Sequence, residues 1–186
     1  MTAYRARYEP PTEAGGAERW AGHVTMEQPD PKREMLRHIV ATLAYRGGKA
    51  VRDAPESFAT FRASETTRTP AEILAHVGDL LDWALSMARG AEAWRPVAPQ
   101  GWAQDVERFH SSLARFDEYL ASCDELDCSC ERLFQGALAD SLTHVGQITM
   151  LRRIAGAPVR GENYAKADIQ AGRVGSDQAA PRHEFD

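Results

Sequence analysis

The sequence predicts an all-α fold, and three observations carry that expectation. Apolar residues recur at spacings of three and four in four separate stretches. Helix start and stop signals bracket those stretches, and none shows the strict alternation of a half-buried strand. The expected architecture is a four-helix bundle with a helical core over about 31–156. An irregular leader over 1–30 and a tail over 157–186 flank it.

The leader carries PP, GG and PDP punctuation. The first helix starts after Asp30-Pro31, aligning Leu36, Ile39, Val40 and Leu43, and Gly47-Gly48 is expected to weaken or end it. Residues 53–68 read as a polar connection. The best-marked start is TRTPAEILAH: Thr69 suits the N-cap, Pro70 the first helical position, and Glu72 completes a capping box. Ile73, Leu74, Val77, Leu80, Leu81, Leu85 and Met87 continue that pattern until Gly90.

A loop with Pro and Trp, AWRPVAPQGW, leads to a third helix carrying Val106, Phe109, Leu113, Phe116 and Leu120. The fourth lies in ALADSLTHVGQITMLRRIAG, with Gly156 and Pro158 as stop signals. In the tail, Tyr164 and Ile169 are available to pack and a short turn is expected near Asp168. Two readings stay open there: a lid over the open end of the bundle, or a solvated tail.

Bulk properties narrow the function. A chain of 186 residues with 43% hydrophobic and 26% charged residues reads as one domain over 1–186. Its formal net charge of −5 argues against nucleic acid as a partner. The tightest basic group, Arg152, Arg153 and Arg160, is too small for a DNA footprint. No apolar run approaches a membrane span, and MTAYRARYEP lacks the apolar core of a signal peptide, so a cytoplasmic location is expected. The odd count of 3 cysteines suits a reducing compartment. Cys123, Cys128 and Cys130 do not follow a zinc-site spacing and read as free thiols in a turn.

The fourth helix holds the chemistry. Stepping by three and four from Leu133 gives Ala137, Asp140, His144, Gln147, Leu151 and Ile154, so an acid, an imidazole and an amide interrupt the apolar line. In the second helix, His76 interrupts the line Ile73, Leu80, Trp83, Met87. A buried unpaired carboxylate is very costly. A divalent cation shared by His76, Asp140 and His144 removes that cost and leaves open coordination positions, the plan of a catalytic site. The alternative is a hydrogen-bonded core histidine beside a self-satisfied Asp-His pair, and spacing leaves both open. Trp83 and Met87 continue the His76 line as pocket walls or as plain core. Ser141 and Thr143 point away from the Asp140/His144 face, so neither is a nucleophile.

TPAEILAHVGDLLDW and ALADSLTHVGQITMLRRIAG resemble the two signature regions of the DinB/YfiT-like superfamily of bacterial four-helix-bundle proteins. In that family a His early in the second helix, and an HxxxH motif followed by Gly-Gln in the fourth, bind a divalent metal. His76 and His144 match; Asp140 stands where the first His of HxxxH belongs, either as a ligand or as a group orienting an imidazole. Gln147 is a candidate partner of the site, with interhelical hydrogen bonding as its alternative.

The resemblance implies up-down-down-up topology, a homodimer, and a divalent ion such as Zn, Ni, Fe or Mn. It also implies a metal-dependent enzyme acting on a small molecule, a hydrolase or a thiol-dependent transferase. A bound divalent ion lowers the pKa of its water from 15.7 to about 7. The competing expectation is a non-catalytic binding or stress-response bundle, its metal structural or absent, with Asp140 hydrogen-bonded inside a closed core.

Overall fold

The computed structural model describes residues 30–122 and 125–185. The leader up to residue 29, with His23, and Cys123 lie outside the described residues. The described chain is mostly helical. Helix α1 spans Pro31–Val51, α2 Pro70–Ala88 and α3 Trp102–Ala121. A fourth helical stretch runs without a break through α4 (Cys130–Leu133), a π-helical turn (Phe134–Leu138) and α5 (Ala139–Ile154). Among the described residues, no helix is long and apolar enough to cross a membrane.

The expected start of α2 forms as written. Thr69 Oγ1 accepts the Glu72 amide at 3.2 Å, and Glu72 Oε2 accepts the Thr69 amide at 2.7 Å. This satisfies two amide donors that the first turn leaves unpartnered. Gly90 ends the helix with a φ of 67°, in the left-handed region that glycine enters without strain.

Two expectations for the first third of the chain need correction. Gly47-Gly48 does not end α1, which continues to Val51. A β-carbon at Gly47 would strike the Phe109 ring, so the glycine lets α3 press against the α1 backbone. Burial of Phe109, fully shielded from solvent, outweighs a helix penalty of about 1 kcal/mol per glycine. The connection over 53–68 is not merely polar. A 3-10 turn at Glu56–Thr60 buries Phe58, whose ring meets Trp102 edge-on at 5.5 Å.

The apolar stripe of the fourth stretch also departs from the expected line. Leu133, Ala137 and Leu151 are buried as anticipated, but the buried positions between them run through Leu138, Ser141, Val145 and Ile148, and Arg152 is buried as well. A π turn accommodates one extra residue, so the buried face slips by one position. Asp140, His144 and Gln147 therefore sit at the edge of the buried face rather than on it, and Ile154 is exposed.

Arg152 lies in the interior. Its guanidinium donates to the carbonyls of Arg52 at 2.9 Å, Ala50 at 3.3 Å and Ala157 at 2.8 Å. These are carbonyls that the ends of α1 and α5 leave without helical partners.

Both α1 and α2 pack against α3 and against α5. Arg33, at the start of α1, donates to the Tyr119 and Leu120 carbonyls at the end of α3. Arg37 pairs with Asp117 at 3.1 Å. On α2, Asp79 and Asp82 both take Arg108 of α3 at 2.8 Å, while Ala88 at its far end accepts the Tyr119 hydroxyl. Trp83 lies against Gly136 of the π turn, whereas His76, near the other end of α2, faces α5.

The tail is not solvated, and it packs on the bundle beside α1 and α5. Glu162 is buried, accepting the Tyr45 hydroxyl at 2.7 Å and Lys49 Nζ at 2.8 Å. Val174 is buried as well, and Ile169 rests on the core. The expected short turn falls at Tyr164–Lys166. No strand was expected, yet β1 (Gly161–Glu162) and β2 (Glu184–Phe185) form an antiparallel two-residue ladder, pairing Gly161 with Phe185 and Glu162 with Glu184.

Candidate metal centre

The capping box fixes the register of α2 and so places His76 in its second turn, toward α5. Asp140 and His144 follow the π turn, four residues apart on one side of α5. One ligating atom from each of the three lies within 4.8 Å of the others. Among the described residues this is the one such cluster of His, Cys, Asp or Glu. Asp140 bridges the two imidazoles: its Oδ2 is 3.9 Å from His76 Nε2, and its Oδ1 is 3.5 Å from His144 Nε2. The rings meet edge to face, their centroids 4.8 Å apart.

These separations are long for hydrogen bonds. The shorter one is near the edge of a tetrahedron of ligands around a first-row ion, about 3.3–3.4 Å for bonds of about 2.0–2.1 Å, and the set as a whole is wider than that. His144 Nδ1 lies 2.7 Å from Gln147 Oε1, which can only accept. This contact orients the ring so that Nε2 faces the Asp140 carboxylate. Burial lowers the His76 pKa, and the nearby His144 and Arg68 lower it further against the pull of Asp140 and Asp79. His76 is accordingly neutral at pH 7, with a ring lone pair available.

Solvent reaches the cluster. The Asp140 side chain is 48% exposed, against 23% for His76 and 12% for His144. Asp140 is therefore not sealed inside the core. Ser141 is wholly buried, and Thr143 bonds back to the Ala139 carbonyl, so neither hydroxyl joins the cluster.

The residue that sequence reasoning missed is Trp94. Its ring stands 5.6 Å from that of His76 and 6.0 Å from that of Trp83, edge-on to both. Its loop is pinned at three points by side chains of the flanking helices. Ser86 Oγ accepts the Ala93 amide, Asp79 Oδ1 the Val97 amide and Asp105 Oδ1 the Gln100 amide, each at 3.1 Å. Loop composition gave no periodicity that could aim Trp94 at a histidine. Trp83 packs against Trp94 and beside Gly136 of the π turn, and Met87 is buried in the core.

The tail does not lid this cluster. The cavity it encloses is lined by α1, α5 and its own residues, and by none of His76, Asp140 or His144. Cys128 and Cys130 are free thiols, both with pKa raised by burial.

Fold and cluster together define a helical protein with two imidazoles and a carboxylate converging between two helices. Compared with family models, with curated proteins and with solved structures, the chain finds no match.

Proposed function

We propose that the chain is a metal-dependent enzyme of the DinB/YfiT-like type, with His76, Asp140 and His144 as the ligands of one divalent ion. The observation that carries this reading is the convergence of His76, His144 and the Asp140 carboxylate, one ligating atom of each lying within 4.8 Å of the others.

The helix ends support an up-down-down-up bundle as the scaffold. The start of α1 meets the end of α3, so these two run in opposite directions. The pairings Asp82–Arg108 and Ala88–Tyr119 run α2 and α3 in the same direction. Lys32 with Glu131 at one end, and Ala50 with Arg152 at the other, run α1 with the fourth stretch.

Held there, a divalent ion supplies Lewis-acid chemistry, polarising a substrate oxygen and lowering the pKa of water or of a small thiol. The chain's own residues do the rest. Gln147 holds His144 in the tautomer whose Nε2 can ligate. Three protein ligands leave positions open for a small molecule, and exposure at Asp140 marks the side from which it enters. Trp94, backed by Trp83, gives the site an apolar side next to His76.

The test is elemental analysis of protein purified without an affinity tag, followed by assays of ester hydrolysis and of thiol transfer to an electrophile. Metal at one ion per chain, with turnover that chelation and His144→Ala both abolish, supports the reading. Wild-type protein that holds no stoichiometric metal rules it out.

A further inference from the structure

A second site lies on another side of α5. A cavity of about 310 Å³ opens between α1, α5 and the folded tail. That volume is at the small end of ligand sites, enough for a compact molecule. Its lining combines the cations Arg46, Arg153 and Arg160 with apolar surface from Val145, Met150 and Phe185. Met150 and Phe185 are 58% and 56% exposed, so large apolar side chains stand at its rim without protein cover.

The charge here opposes that of the whole chain. Arg160 reaches Glu184 at 3.6 Å, and Lys49 binds both Glu184 and Glu162. Neither Arg46 nor Arg153 meets a carboxylate among the described residues. Among the described residues, two of the lining cations, Arg46 and Arg153, thus stand without a carboxylate, in a protein of net charge −5. The Arg46 guanidinium is held over the Tyr164 ring, 4.6 Å from its centroid, which fixes the fork before any ligand arrives.

Gly146 adds an independent sign. It lies inside α5, where glycine weakens a helix relative to alanine. Nothing stands within 4 Å of the place its β-carbon would take, so no packing contact requires it. It lines the cavity, and its missing side chain keeps that space open.

We infer that this cavity binds a small organic phosphate, its dianion between Arg46 and Arg153 and its apolar body against Val145, Met150 and Phe185. Arginine forks match phosphate oxygens in pairs, and a dianion matches the two charges of Arg46 and Arg153. The assignment does not rest on the metal reading, since none of the three proposed ligands lines the cavity.

The test is calorimetric titration of the full chain, in buffer containing chelator, with phenyl phosphate, benzoate and inorganic phosphate. The expected result is saturable one-site binding of phenyl phosphate, tighter than that of the other two. Losing a charge-assisted contact in Arg46→Gln or Arg153→Gln should weaken it about tenfold or more. Gly146→Glu, which places an acid in open space, should abolish it, and His144→Ala should leave it unchanged. Circular dichroism confirms that each variant is folded. Absence of saturable binding, or binding indifferent to Arg153→Gln and Gly146→Glu, would overturn the site. Benzoate binding as tightly overturns the dianion; inorganic phosphate binding as tightly overturns the apolar contact. Loss of binding in His144→Ala would assign the ligand to the other site.

Discussion

His144 Nδ1 and Gln147 Oε1 lie 2.7 Å apart, one helical turn along α5. The amide oxygen sets the imidazole tautomer and aims Nε2 at Asp140. Replacing the acceptor with an apolar group frees the ring to reprotonate at Nε2. Gln147→Leu is therefore expected to weaken divalent-metal affinity by about 10- to 100-fold, while Gln147→Glu, which keeps an acceptor, retains it. Competition against a chromogenic chelator measures both. Equal affinity in Gln147→Leu and wild type would show that Gln147 has no part in orienting the ring.

Trp94 reports on the same cluster by its contact with His76. An open-shell ion such as Ni or Cu bound beside His76 quenches indole fluorescence at this range. Titrating metal-free protein should lower its emission, and Trp94→Phe should remove a large share of the change. Quenching that Trp94→Phe leaves intact would place the ion elsewhere. The lost edge-to-face contacts should cost about 1 kcal/mol, because the ring is half exposed.

Gly47 controls how closely α3 approaches α1. Gly47→Ala adds a methyl group against the Phe109 ring, and overpacking of this kind costs about 1–3 kcal/mol despite alanine's better helix propensity. Pairing it with Phe109→Leu makes room, so the double variant should lose less than the sum of the single ones. Urea denaturation of the four proteins gives the coupling, and strict additivity would disprove the contact argument.

The tail is tied down by an acid-sensitive contact. Burial pushes the Glu162 carboxyl up, but hydrogen bonds from Lys49 and Tyr45, together with the Lys49 charge, outweigh it and leave its pKa below the ordinary 4.5. A carboxyl whose pKa is depressed on folding stabilises fully above its unfolded value, and that contribution is lost as pH falls through the folded value. Thermal stability should therefore drop as pH falls below about 4.5, and Glu162→Gln should be less stable at pH 7 with a shallower acid slope. An acid slope identical in both proteins would contradict this.

Much of the fold was legible in the sequence because its signals are local. The Thr69–Glu72 box, the stop at Gly90 and the spacing of Phe109, Leu113 and Phe116 depend on neighbours a few residues away. What could not be read depends on partners far along the chain. Gly47-Gly48 looked like a helix end because only Phe109, on another helix, explains the pair. The π turn has no compositional mark, and its one-residue slip moved Asp140, His144 and Gln147 from the expected buried line to its edge. The approach of His76 to Asp140 and His144 survived that slip, because an edge position still faces the neighbouring helix. Trp94 was missed because loop residues carry no period.

The central claim is that His76, Asp140 and His144 hold one divalent ion. Its most direct measurement is calorimetric titration of metal-free protein with Zn and with Ni, after Cys123, Cys128 and Cys130 have been changed to serine so that thiols capture nothing. The account predicts one ion per chain, binding lost in His76→Ala and in His144→Ala, and affinity reduced or lost in Asp140→Ala. Absence of saturable binding in the parent protein, or the same affinity in all three alanine variants, would contradict it.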